Sequence, residues 1–254
     1  MLLLCLDSSS AASVALVGSS DGTRRSPDPE DGGGPDTGPG RVLASWSTED
    51  TRSHAEVLTP AVQRVLTEAG VRASDLDGLL VGTGPGPFTG LRAGLVTARV
   101  LGFGWRLPVH GLSSLTALAH DVASLPPQHR PSSFAVATDA RRREVYWALW
   151  RLSPGQAPVL VDGPHVGPAE TLPDLPVYGR GAGLHAERLP RAVIEPVPGG
   201  PLRAPSLWQP TAGSLGLAAL SLLASGRPLS DDVRPQYLRD SDAKVPGPRK
   251  RAGA

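Results

Sequence analysis

Two aspartates stand where a chain could hold a metal-bound nucleotide. Asp7 closes the apolar run Leu2 to Leu6 and is followed by Ser8, Ser9 and Ser10. Asp139 closes Phe134 to Thr138 and is followed by Ala140 and the basic run Arg141 to Arg143. A carboxylate at the end of an inner strand, one in each of two facing halves, can position hydrated magnesium while glycine-rich turns bring backbone N–H groups onto phosphates. The turns here do not suit that chemistry. The first has no glycine, and Arg141 puts a long side chain where a phosphate would sit. Both aspartates therefore read as vestigial nucleotide positions whose carboxylates brace their own turns, and ATP binding is expected to be negligible. Arg141 to Arg143 read as a solvated hairpin tip rather than an anion site. The competing enzyme reading is an ATPase or small-molecule kinase with divergent phosphate turns.

The other chemistry-bearing side chains do not gather. GRGAG, Gly179 to Gly183, lacks the opening βαβ position and the downstream acid of a dinucleotide site, so it reads as a linker or cleft-lining turn. His54, His110, His120, His129, His165 and His185 have no spacing that sets two ligands on one helical face. There is no GxSxG elbow, and the lone Cys5 lies in an apolar strand. No catalytic residue, metal site or cofactor is assigned, and a peptidase reading finds neither a metal nor a nucleophile constellation.

The elements that carry the two aspartates have the same design. LLLCLDSSSAASVALV and FAVATDARRREVYWALW are each an apolar strand ending in Asp, a polar turn and a returning apolar strand. Ser20 to Arg41 has almost no apolar side chains and reads as a mobile insertion between strands, with a strand resuming at Val42 to Ser47. Thr51 to Ala69 reads as an amphipathic helix that Pro60 kinks or restarts and Gly70 ends. Leu79 to Val81 is a buried strand, and a helix starts near Thr89, whose hydroxyl can cap it. In that helix Gly90, Gly94, Ala98 and Gly102 form one small-residue stripe. Glycine costs a helix interior about 1 kcal/mol relative to alanine, so something approaches this backbone closely. That something is the protein's own sheet or a partner helix; spacing alone leaves both open. Further on come a strand at Leu107 to His110, a helix over Ser113 to Ala123, strands at Val159 to Val161 and Val177 to Tyr178, a helix after Pro168, and a buried helix over Thr211 to Ala224. Two strand–helix steps in succession predict a parallel sheet with helices on its faces.

With 254 residues the chain can bury one large or two modest cores. A formal net charge of +1 and only 4% aromatic residues give no overall field or stacking platform for autonomous nucleic-acid binding. One cysteine and an N-terminus without a basic n-region predict a cytoplasmic protein with no membrane contact.

GTGPGPFTGLRAGL, the preceding HAEVLTPAVQRVL, the opening LCLDSSSAASVAL, the hairpin ATDARRREVYWAL and the late RPQYLR together resemble the TsaB family, bacterial proteins required for threonylcarbamoyladenosine formation in tRNA. The resemblance covers Met1 to Trp150, weakens from Leu152 to Pro210 and returns near the C-terminus. It implies an α/β actin-like ATPase (ASKHA) fold, as in actin, sugar kinases and Hsp70, with two related lobes each opening with a β-hairpin. The corresponding division is 1–110, 111–210, a closing 211–240 and a flexible tail over 241–254. It also implies a non-catalytic paralogue of TsaD, the transferase subunit. TsaD carries an HxxxH metal helix, and Ser114 and Leu118 stand at the matching positions here. The implied partners are TsaD in a heterodimer and TsaE, a P-loop ATPase, in a larger complex. The tRNA would be reached only through the complex, and a second copy of the chain would pair with it when it is free. Related subunits often pair through equivalent surfaces. The expected interface is therefore the two helices around the glycine stripe, with Leu58, Val62, Phe88, Gly90, Leu91, Gly94, Leu95 and Ala98. Two features depart from the family pattern: the insertion is long, and Arg143 stands where a small residue is usual.

Overall fold

The computed structural model describes residues 1–20, 39–50, 54–201 and 203–239. Most of the expected insertion, the first three residues of the expected Thr51 helix and the expected tail lie outside the described residues. In chain order the elements are β1 (Leu2–Asp7), β2 (Ser13–Ser19), β3 (Gly40–Ser47), α1 (His54–Glu68), β4 (Gly78–Gly82), α2 (Phe88–Trp105), β5 (Val109–Leu112) and α3 (Leu115–Ala123). They continue with β6 (Ser133–Asp139), β7 (Glu144–Arg151), β8 (Val159–Pro168), β9 (Val177–Tyr178), α4 (Arg180–Leu184) and α5 (Ala212–Ala224).

Alternation along β1 builds both faces of the first sheet, ordered β3-β2-β1-β4-β5. Leu4 and Leu6 join Leu16, Leu79 and Val81 on one face, covered by Leu58, Val62 and Val65 of α1 and Leu91, Leu95 and Ala98 of α2. Leu3 and Cys5 join Ala15, Val17 and Leu80 on the other, covered by Ala212, Leu215 and Ala219 of α5. β1 pairs antiparallel with β2 and parallel with β4, which pairs parallel with β5. Burial on both sides explains why these strands read as continuous apolar runs. The second sheet, β8-β7-β6-β9, repeats the hairpin-plus-parallel-strand plan. Phe134, Val136 and Trp150 pack against Leu115, Leu118 and Val122 of α3. Because α3 also packs against α5, these two helices form the layer between the lobes.

The closing segment after α5 crosses the edge of the first sheet and ends on the second. Gly111 donates its N–H to the Ser230 carbonyl (2.8 Å), and Gln236 donates to Thr83 (2.8 Å). Arg99 of α2 holds the Val233 carbonyl (3.1 Å). Arg239 reaches the β6–β7 hairpin, donating to the Ala140 carbonyl (2.9 Å) and pairing with Glu144.

Several expectations need correction. Pro60 does not interrupt α1, which runs unbroken; Pro60 and Glu56, whose carbonyl loses its helical donor, both face solvent. Thr89 does not cap α2. Pro87 occupies that position with φ −60°, and no side chain caps it. β3 starts at Gly40, inside the segment expected to be insertion, and β5 starts two residues late and crosses the expected 110/111 boundary. After Pro168 only a single 3-10 turn forms, and β8 is ten residues long. GRGAG is not a turn. Gly179 (φ +100°) opens α4, and Gly181 presses on β6, where a Cβ would lie 2.8 Å from the Ala137 carbonyl carbon.

α5 lies equally close to its sheet. A Cβ on Gly216 would stand 2.6 Å from Val17 Cγ2 and 2.7 Å from Cys5 Sγ. Gly216→Val is expected to lift α5 and lower stability by about 1–3 kcal/mol, read as a lower midpoint in urea unfolding with an unchanged m-value.

Candidate functional site

The turn after β1 is sealed rather than open. Asp7 is fully buried, and its Oδ1 accepts from the Ser9 N–H (2.9 Å) and the Ser9 hydroxyl (2.7 Å). Oδ2 makes no hydrogen bond of good geometry. It lies where a side chain on Gly82 would begin, beside the Ser114 hydroxyl, which accepts from the Gly84 N–H (3.1 Å). Burial raises the Asp7 pKa; the hydroxyls of Ser114 and Ser9, the Ser9 N–H and the charge of His54 work against that rise. His54 Nε2 bonds the Ser10 carbonyl (2.8 Å), closing the turn from the α1 side. Ser114, one of the two positions matched to metal ligands, has become part of this seal.

Asp139, at the equivalent end of β6, is 24% exposed. Its Oδ1 accepts from the Arg141 N–H (2.7 Å), and the Arg141 guanidinium folds back to 3.4 Å from Oδ2. The guanidinium neutralises the carboxylate that a magnesium ion would need. Among the described residues no group of three His, Cys, Asp or Glu side chains converges as metal ligands.

A third carboxylate lies in the layer between the lobes. Asp121 on α3 meets Ser214 on α5; burial pushes its pKa up to about 7, and the Ser214 hydroxyl limits the rise.

The expected partner residues are mostly turned inward. Gly90, Leu91, Gly94, Leu95 and Ala98 are buried beneath α2, and Leu58 and Val62 beneath α1. The Ser8 hydroxyl donates to the Gly90 carbonyl (2.7 Å) and accepts from the Gly94 N–H (3.2 Å), and Val109 fills the space beside Gly102. The stripe is thus occupied by the chain's own turn and strand. Of the expected set only Phe88 reaches the surface, its ring packed at a 45° tilt against Tyr237 with centroids 4.4 Å apart, beside Arg92, whose Nε donates to the Tyr237 hydroxyl (2.8 Å). The exposed apolar side chains of α2 are Val96 (57%), Val100 (63%) and Phe103 (90%). They recur at i, i+4 and i+7 and form one outward stripe. That spacing was visible in the sequence but was overshadowed by the glycines on the opposite side.

The model of the TsaD family, tRNA N6-adenosine threonylcarbamoyltransferase, matches residues 42–169. An uncharacterised protein of Mycobacterium tuberculosis is 38% identical over 204 residues, covering 80% of this chain and 83% of that protein. The tRNA threonylcarbamoyladenosine biosynthesis protein TsaB of Bacillus subtilis is 28% identical over 219 residues, covering 80% and 87%. The solved structure of YeaZ from Pseudomonas aeruginosa superposes with a TM-score of 0.67 at 30% identity, over 92% of this chain and 100% of that one. Both sheets, their order and the layer between them therefore form the two-lobed actin-like fold.

Asp7 and Asp121 both bind protons more tightly folded than unfolded. Their contribution is full below the unfolded carboxylate range, about pH 4, and is lost as pH rises through the raised folded values, which for Asp121 is about 7. Asp7→Asn keeps an acceptor for Ser9 and gains a donor toward Ser114. It is expected to raise the melting temperature at about pH 8 and to flatten the decline above about pH 4, measured by thermal melts across pH. A lower melting temperature, with wild type stabilised by magnesium–ATP, would show instead that Asp7 is a working nucleotide ligand.

Proposed function

The chain belongs to the TsaB family, and on that footing we propose that it is a non-catalytic subunit of the tRNA threonylcarbamoyladenosine machinery that works by holding the TsaD transferase. The observation that carries this reading is the outward stripe Val96, Val100 and Phe103 on α2. An exposed apolar row on a rigid helix costs solubility unless a partner covers it. The neighbouring face of α1 offers Gln63, Arg64 and Thr67 to solvent, the polar rim that suits such a centre. The match of this chain to the TsaD family model supports a partner of the same fold, which can present its own equivalent helices in a pseudo-two-fold packing.

The sealed Asp7 turn and the Arg141–Asp139 pair support assigning no catalysis to this subunit. On this reading the transfer chemistry resides in TsaD, TsaE joins the larger assembly, and the cytoplasm is where the complex meets tRNA. A second copy of the chain would use the same helix face, so self-pairing and TsaD binding would compete.

Val100→Glu and Phe103→Glu are expected to melt like wild type and to lose TsaD affinity by about 2 kcal/mol or more, measured by calorimetry with purified TsaD. Gly94→Glu, whose side chain would collide with Ser8, is expected not to fold. Wild-type affinity in both outward variants would remove this face from the interface.

A further inference from the structure

The segment after α5 forms no helix and only one isolated β-bridge, yet it is tied down along most of its length from Ser230 to Arg239. Its first anchors lie on the first lobe. Ser230 bridges antiparallel to Gly111 at the outer edge of β5, and His110 Nδ1 lies 2.9 Å from the Asp231 carboxylate. Gly111 leaves the room that the Asp232 carbonyl oxygen occupies. Val233 packs on the core beneath α1 and α2 while its carbonyl accepts from Arg99 (3.1 Å). Tyr237 lies against Phe88, and its hydroxyl accepts from Arg92.

The end of the segment joins the two aspartate turns. The Gln236 N–H donates to the Thr83 carbonyl (2.8 Å), and Thr83 follows Gly82, against which Asp7 Oδ2 rests. Three residues later Arg239 donates to the Ala140 carbonyl (2.9 Å), next to Asp139, and pairs with Glu144 on the returning strand. The link is three residues of backbone, at most about 11 Å long, and one arginine side chain. The Arg239 and Glu144 side chains are only 22% and 32% exposed, so this pair is less weakened by water than a surface pair. Elsewhere the chain passes between the lobes twice, from β5 into α3 and from the second lobe into α5. Both passages lie at the α3–α5 layer and leave the lobes free to turn about it. The Arg239 contact is a third tie, made on the hairpin tip outside that layer.

We propose that Ser230 to Arg239 is a strap that locks the two lobes at one angle, with Arg239 as its catch, so that the chain itself rather than a ligand in the cleft sets that angle. The inference is independent of the partner proposed above, and its test uses the full chain alone. Spin labels on Gln63→Cys in α1 and Arg151→Cys in β7, both exposed and one on each lobe, report the distance between the lobes by pulsed electron paramagnetic resonance. Cys5 is fully buried and stays unlabelled. The labelled parent is expected to give one narrow distance distribution. Arg239→Ala removes the catch. Arg99→Ala with Tyr237→Ala loosens the strap at its first-lobe end and leaves Arg239 in place. Both variants are expected to keep the parent's circular dichroism and to spread the distribution to distances that the parent does not show. A distribution unchanged from the parent in either folded variant would overturn the inference, as would a parent that already spans the wider range. Should Arg239→Ala fail to fold, the double variant decides between the same two outcomes.

Discussion

Ser8 is threaded into the backbone of α2, and much of the molecule follows from that contact. Its hydroxyl bridges the Gly90 carbonyl and the Gly94 N–H, which is feasible only because neither residue carries a side chain. The bridge ties the end of β1 to the first turns of α2. It also fixes the rotation of the helix. At about 100° per residue, a helix with Gly94 turned to the sheet turns Val96 about 200° away, toward solvent. The same hydroxyl therefore fills a turn that a nucleotide phosphate would need and presents the outward apolar row.

Asp7 stands at the end of an inner strand but is closed to solvent. The carboxylate is kept, but it is buried with one oxygen lacking a well-aligned donor. A buried, partly satisfied carboxylate is a stability cost, not an active group, unless a ligand completes it. Asp139 is held instead in an ion pair with the Arg141 side chain of its own turn. Two positions that are equivalent in topology have unlike surroundings, desolvation in one lobe and ion pairing in the other. Architecture alone would have assigned both the same role.

Much of the fold was legible because burial on two faces leaves a plain mark. The apolar runs of β1, β4 and β6, the twin hairpins and the periodicity of α1 each specify one element with little competition. The errors fall where one sequence feature admits two physical solutions. A glycine stripe states that something is close without stating what, and here Ser8 and Val109 are the neighbours. Pro60 breaks a helix only if the freed carbonyl has no other partner, and the exposed face of α1 supplies water. The closing segment was the least readable. Its polar residues act through backbone bonds to Gly111 and Thr83 and through arginines far away in sequence, so no periodicity announces it.

The path of the chain also has a consequence for its synthesis. The first sheet is complete once Leu112 has been made, yet its second face, with Leu3, Cys5, Ala15, Val17 and Leu80, is covered by α5, exactly one hundred positions further along at Ala212 and beyond. The whole second sheet is laid down between. The lobe that is translated first is thus the last to be finished, and a nascent chain carries this apolar sheet face without α5 for about two fifths of its translation. Non-local closure of this kind slows folding and exposes the intermediate to aggregation.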